Sequence, residues 1–213
     1  TINQQYNVNV LGVTADSTGN IYATGTFDHK IDFDISSGIS YLQPVNSYTD
    51  FFILKLNPSG NFCWGKSIGG SGLEQYVNIV YDPYDQSINL AGVQKTPIDC
   101  DPGPAIANTR LYGSNDIFMV KLDTAGTYKW SASIGGTSSD NLYDHSVFNS
   151  NVYATGYFEG TVDFDPSPTV TNNLSVYGGN DNTLIINIKN SIVTEISTRD
   201  TYSLMSAYPN PSN

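Results

Sequence analysis

The sequence predicts an all-β repeat fold of about three four-stranded antiparallel units, and three observations carry that prediction. The segment Asn20-Ile21-Tyr22-Ala23-Thr24-Gly25-Thr26-Phe27 returns as Asn151-Val152-Tyr153-Ala154-Thr155-Gly156-Tyr157-Phe158, with a diverged copy, Ser87-Ile88-Asn89-Leu90-Ala91-Gly92-Val93, between them. Independent landmarks share the period: Gly25, Gly92 and Gly156 lie 67 and 64 residues apart, Trp64 and Trp130 lie 66 apart, and so do Ile68-Gly69-Gly70 and Ile134-Gly135-Gly136. Inside each copy the apolar residues alternate or form short runs, as strands require. Self-similarity at a long fixed period marks one supersecondary unit, copied and stacked so that neighbours bury each other's apolar faces.

The elements follow in chain order. Stretches 6–15, 75–82 and 142–148 lead into the copies as first strands. Residues 20–27 form the second, with Ile21, Ala23, Gly25 and Phe27 on one face and Tyr22, Thr24 and Thr26 on the other. The runs 51–56, 117–122 and 184–188 are nearly continuous in apolar residues and fit strands covered on both faces. Tight turns at Asn57-Pro58-Ser59-Gly60 and Asp123-Thr124-Ala125-Gly126 follow, with Gly supplying the positive φ. The fourth strands, 61–68 and 127–134, end at glycine pairs. The last spacing is shorter because the turns at 16–19 and 82–86 shrink to Asn149-Ser150, and turns absorb deletions. Four strands per copy is the count of one β-propeller blade, so the expected architecture is a partial propeller or arc of about three blades.

The stretch 50–70, DFFILKLNPSGNFCWGKSIGG, its partner 116–136, DIFMVKLDTAGTYKWSASIGG, and the NIYATG strands resemble the SBBP-type β-propeller repeats of bacterial surface proteins. The resemblance spans roughly residues 10–190; the third copy departs from it by lacking the Trp and the Ile-Gly-Gly end after Lys189. Tyr208-Pro209-Asn210-Pro211-Ser212-Asn213, after a polar stretch from Ser197 to Ser206, is similar to the opening of the C-terminal sorting domain of the type IX secretion system of Bacteroidetes, here cut short. The two resemblances imply export and a location outside the cell or on its outer surface. The expected organisation is repeats over 1–193, in units of about 6–72, 73–139 and 140–193, with a linker and the start of the sorting domain over 194–213.

Composition excludes several partners. Nine Lys and Arg against 20 Asp and Glu give a net charge of −11, which offers no basic footprint for nucleic acid and disfavours docking on anionic lipid. No apolar run approaches the ~20 residues of a membrane-spanning helix. The start, Thr1-Ile2-Asn3-Gln4-Gln5, has neither the basic nor the apolar part of a signal peptide, so a mature form or a fragment is expected. Asp far outnumbers Glu, as befits turn-rich β structure.

The best chemical candidate is a triplicated carboxylate pair: Asp32-Phe33-Asp34, Asp99-Cys100-Asp101 and Asp163-Phe164-Asp165. In extended chain, i and i+2 share a side, so each pair sets two anions together while the middle residue turns inward. The favoured reading is a turn in which Asp accepts backbone N–H groups; the alternative is a calcium site, since calcium favours clustered carboxylates and carbonyls. Pro102-Gly103-Pro104 and Pro166-Ser167-Pro168 follow two of the pairs and suit a rigid turn. No other cofactor is expected. Cys63 and Cys100 sit at non-equivalent repeat positions, Cys63 aligning with Lys129 and Cys100 with Phe33 and Phe164; a disulfide or two small fillers are both open.

Catalytic residues are not expected. His29 and His145 lack an evident nucleophile partner, the hydrolase elbow is absent, and only Glu74, Glu159 and Glu195 are available to pair with Asp in a glycosidase-type mechanism across blades. Fifteen Tyr, among them Tyr22, Tyr153 and Tyr157 on strand faces, either stack on sugars, anchor a protein partner or fill contacts between units.

Three blades leave the first and last faces uncovered, with runs such as Phe51 to Leu56 open on one side. Further blades upstream or head-to-tail contact between identical chains would cover them, the latter giving a ring, fibre or tube. The sequence therefore predicts a non-enzymatic secreted or cell-surface structural or adhesion protein, with a glycan- or protein-binding fragment of a larger adhesin as the alternative.

Overall fold

In a computed structural model of the chain, residues 7–45, 48–74, 76–165, 172–175, 182–189 and 192–198 are described. The strands are β1 (Val8–Ala15), β2 (Ile21–Phe27), β3 (Ile31–Asp32), β4 (Tyr41–Leu42), β5 (Asp50–Leu56) and β6 (Phe62–Gly70) in the first copy. The second holds β7 (Tyr76–Asp82), β8 (Ser87–Gln94), β9 (Ile98–Asp99), β10 (Asp116–Asp123) and β11 (Tyr128–Gly136). The third holds β12 (Asn141–Phe148), β13 (Asn151–Phe158), β14 (Thr161–Asp163), β15 (Asn173–Ser175), β16 (Asn182–Lys189) and β17 (Ile192–Thr198). The fold is all-β, its named strands pair antiparallel, and no α-helix occurs among the described residues.

Each copy forms one four-stranded meander: β1-β2-β5-β6, β7-β8-β10-β11 and β12-β13-β16-β17. Registers match across them. Gly25 lies between Val10 and Phe52, Gly92 between Val77 and Phe118, and Gly156 between Leu142 and Leu184. A Cβ at these glycines would fall 1.8, 2.2 and 2.0 Å from the carbonyl oxygens of Asn9, Tyr76 and Asn141, so only glycine permits the first strand to approach the second.

Turn chemistry recurs as well. Oδ1 of Asp16, Asn57 and Asp123 each accepts two backbone N–H groups across its turn, with Gly19, Gly60 and Gly126 at positive φ. The third copy lacks Trp and the glycine pair, yet β17 still pairs with β16 from Leu184 and Thr198 to Lys189 and Ile192, and it runs across the 193/194 position expected to begin a linker. The motif Tyr208–Asn213 lies outside the described residues.

The core sits between the meanders. One cluster joins Tyr22, Phe51, Ile53 and Ile68 of the first to Val77, Ile79, Leu90, Phe118 and Val120 of the second. Another joins Ala91, Ile117, Met119 and Ile134 of the second to Val152, Ala154, Phe158, Leu184 and Ile186 of the third. Polar ties cross the same seams, including Lys55 Nζ to the Thr124 carbonyl at 3.0 Å and the Ser150 N–H to Asp82 Oδ2 at 2.8 Å. Burial of each large aliphatic side chain contributes roughly 1.5–3 kcal/mol, which makes the seams, rather than any single sheet, the source of stability.

The connection between second and third strands does something the sequence did not suggest. In the second copy it sends β9 to the edge of the first meander, Asp99 opposite Gly69 and Ile98 opposite Gly70. In the third it sends β14 to the second meander, Asp163 opposite Gly135 and Val162 opposite Gly136. The equivalent β3-β4 hairpin of the first copy pairs with no other sheet among the described residues and forms a two-stranded sheet of its own. Its Phe33 packs on Phe27 and Phe52, so the outer side of the run 51–56 is covered from within and is not open as expected.

Gly92→Ala should destabilise the chain by about 1–3 kcal/mol, the usual cost of forcing atoms into packed space. Chemical denaturation measures this directly.

Candidate functional site

Five of the six paired aspartates accept turn N–H groups. Asp32 Oδ1 accepts the N–H groups of Asp34 and Ser40 at 3.1 and 2.8 Å. Asp99 Oδ1 accepts those of Asp101 and Ala107 at 3.1 and 2.9 Å, and Asp163 Oδ1 those of Asp165 and Asn172 at 3.0 and 2.8 Å. Asp34 and Asp101 repeat the device one step on, accepting from Ser36 and Gly103. Phe33, Cys100 and Phe164 between them turn inward, each into a different core cluster. No group of three or more His, Cys, Asp and Glu that could hold a metal ion assembles among the described residues.

The remaining sequence candidates separate. Cys63 is exposed and Cys100 buried, and both are free thiols. His29 Nδ1 lies 2.6 Å from Asp28 Oδ1 at the surface. His145 is buried where Val13 and Ile79 stand in the other copies; its Nε2 lies 3.1 Å from the Asn89 carbonyl, and burial holds its pKa below the ordinary value. Tyr22 is fully buried, stacked on Tyr81 of the next meander and beside Trp64, so it fills a seam. Tyr157 is different. With Tyr76, Val93, Lys95, Asn115, Asn141, Leu142 and Tyr143 it lines a cleft of 290 Å³ at the second seam, where the Tyr143 ring is exposed 5.8 Å from that of Tyr157.

A set of buried acids was not singled out from the sequence. Asp50, Glu74, Asp116 and Asp140 are all at most 2 % exposed. Asp50 Oδ2 accepts the Val45 N–H at 2.8 Å and Asp116 Oδ2 accepts that of Tyr112, while Oδ1 of each is buried without a hydrogen bond. Asp140 accepts from Gly136 and Glu159. Burial pushes Asp50, Asp116 and Asp140 up to about 6, and burial with the nearby Asp50 charge pushes Glu74 up to about 7. The available signal was the recurrence of Asp at 50 and 116, immediately before each apolar run.

These acids explain half of the glycine pair. A Cβ on Gly69 or Gly135 would lie 2.2 Å from the carboxyl of Asp50 or Asp116. The other half is explained by the neighbouring copy: a Cβ on Gly70 would lie 2.2 Å from the Pro97 carbonyl oxygen, and one on Gly136 would lie 2.1 Å from that of Thr161. Each pair is thus a socket. Its first glycine admits a buried carboxylate and its second admits the hairpin of the next meander.

The end faces complete the geometry. On β1, Val10 and Val13 are both 66 % exposed, whereas Val77 and Ile79, at the same register positions of β7, are 0 and 2 % exposed. At the other end Ile185 is 48 % exposed, whereas its counterparts Ile53 and Met119 are buried. Thr155 and Thr183 lie beside it, also exposed.

No protein-family model matches the chain, and neither does any curated protein. No helix among the described residues is long and apolar enough to cross a membrane.

Two outcomes follow. A raised carboxyl pKa makes the folded state bind more protons, so the stability contributed by Asp50, Glu74, Asp116 and Asp140 is complete below about pH 4 and is lost as pH rises through 6 to 7. Hydrogen bonds hold Asp16, Asp85 and Asp123 below their ordinary values against the opposing effect of burial, so their contribution is lost at lower pH. Thermal unfolding should show maximal stability near about pH 5 and a decline toward pH 8, flattened by Asp50→Asn; Asn182 stands at that register position in the third copy. In the second, chelator and millimolar calcium should leave the melting temperature unchanged if the paired aspartates serve only as turn acceptors; a calcium-dependent rise would show that they hold the metal.

Proposed function

We propose that the chain is a non-enzymatic, secreted or cell-surface structural or adhesion protein of the β-propeller-repeat type, which works by joining further repeat units at its end faces. The observation that carries this is the exposure of Val10 and Val13, whose counterparts Val77 and Ile79 are buried by the preceding meander. A repeat buries its apolar face only against a neighbour, and among the described residues no further meander lies against the outer face of the first or the last copy. The SBBP-like motifs and the sorting-type ending support an extracellular setting, and the net charge of −11 suits a soluble surface without nucleic-acid affinity. The contact is heterologous: the first face of one chain meets the last face of another and generates a ring, fibre or tube.

A second reading rests on the cleft lined by Tyr76, Tyr143 and Tyr157 with Asn115, Asn141 and Lys95. Aromatic faces beside amide groups are suited to sugar rings, and Tyr143 presents its ring to solvent. Loss of glycan-array binding on Tyr143→Ala would favour this reading.

Sedimentation of the chain should show concentration-dependent association, with order 1,000 Å² or more buried per contact. Val10→Asp or Ile185→Asp should disperse it with little change in thermal unfolding, because Val10 is largely and Ile185 about half exposed in the single chain. A monomer at every concentration would contradict self-association.

A further inference from the structure

We propose that the β3-β4 hairpin is a docking arm, and that the first face of the chain takes a four-stranded repeat unit whose last strand ends in Gly-Gly. This rests on the end-face reading and specifies the occupant. The contact is made twice inside the chain. At each internal seam, the face of the later meander packs on the earlier one while its β9 or β14 segment extends the earlier sheet at Gly69-Gly70 or Gly135-Gly136. The first copy holds every part of the later half of that seam.

Val10 and Val13 stand where Val77 and Ile79 do, and Phe27, Phe33 and Phe52 form a cluster of their own with Ile31, Leu42, Leu54 and Phe62. Asp32 folds the hairpin with the same two Oδ1 hydrogen bonds as Asp99 and Asp163. The edge of β3 that corresponds to the paired edges of β9 and β14 has no strand beside it among the described residues. Such an edge accepts a further strand by main-chain hydrogen bonds.

The incoming strand must end in glycine. At the position of Gly70 or Gly136 any Cβ would strike the carbonyl of the arriving hairpin, at 2.2 and 2.1 Å. The third meander of a second copy does not meet that requirement. Leu184 and Thr198 are paired as Phe52 and Ser67 are, and in sequence Thr198 is followed by Arg199-Asp200-Thr201 where Ser67 is followed by Ile68-Gly69-Gly70. In β16, Thr183 also replaces the Phe51 and Ile117 of the other copies. Contact between identical chains is therefore a weaker form of the contact for which the first face is built.

The test gives the third copy the missing socket. The chain carrying Asp200→Gly and Thr201→Gly is compared with the natural chain by sedimentation, with Asp200→Gly and Thr201→Ala as the control that retains a Cβ. The expected result is association of the Gly-Gly chain at a concentration at least tenfold lower than either of the others, abolished when Val10→Asp is added. Natural and Gly-Gly chains associating equally would overturn the docking arm and leave the end-face reading standing. A monomeric natural chain with an associating Gly-Gly chain would support the arm and remove natural self-association. No association in any chain would overturn both, and equal gain from the Ala control would overturn the glycine requirement.

Discussion

Everything in this structure depends on a main-chain contact of two residues. Where β9 meets Gly69-Gly70 and β14 meets Gly135-Gly136, the hairpin of one meander becomes the outer strand of the one before it. That contact fixes how adjacent meanders sit, because the hairpin also carries Cys100 or Phe164 into the apolar layer between them. A face of alternating apolar residues could slide on its neighbour, but a face pinned by strand pairing has one register.

The pinning has an energetic cost. Asp50 and Asp116 are buried above the first glycine of each socket with one carboxyl oxygen unpartnered, an arrangement that disfavours the ionised form. Each also receives a backbone N–H from the loop just before it, Val45 or Tyr112, and so holds that loop against the strand end. Local order at the seam is gained at the expense of stability near neutral pH. The first hairpin keeps the same inward packing without a neighbouring sheet among the described residues: Phe33 lies 5.6 Å from Phe27, T-shaped, as Phe164 lies 5.3 Å from Phe158 in the hairpin that is joined, and with Phe52 it hides part of the apolar surface. Val10 and Val13 stay exposed because the hairpin does not reach them.

The strands and turns were legible in the sequence because their chemistry is local. Alternation at 21–27, the runs at 51–56 and 117–122, and the Asn or Asp that begins each turn reported the strands of the first two meanders within two residues at their ends, whereas β17 of the third runs past the boundary expected at 193/194. The inward turn of Phe33, Cys100 and Phe164 followed from the two-residue period of a strand. What stayed hidden was non-local. The crossing of β9 and β14 to another sheet involves too few residues to leave a pattern, and the glycine pairs look like simple strand ends until the carbonyls of Pro97 and Thr161 are placed beside them. Buried Asp50 and Asp116 were masked by an acidic composition in which Asp is the ordinary turn residue. The end faces were anticipated, but the cover that β3-β4 gives to one of them depends on tertiary packing alone.

The most direct measurement is amide hydrogen exchange, read by segment at low protein concentration. If strand pairing across the seams is what orders the chain, the amides of Ile98–Asp99 and Thr161–Asp163 exchange slowly, while those of Ile31–Asp32, alike in local sequence and turn bonding, exchange many times faster for want of a neighbouring strand. Equal protection in all three hairpins would contradict the account, because it would show that the hairpins are ordered by their own turns and not by the sheet they join.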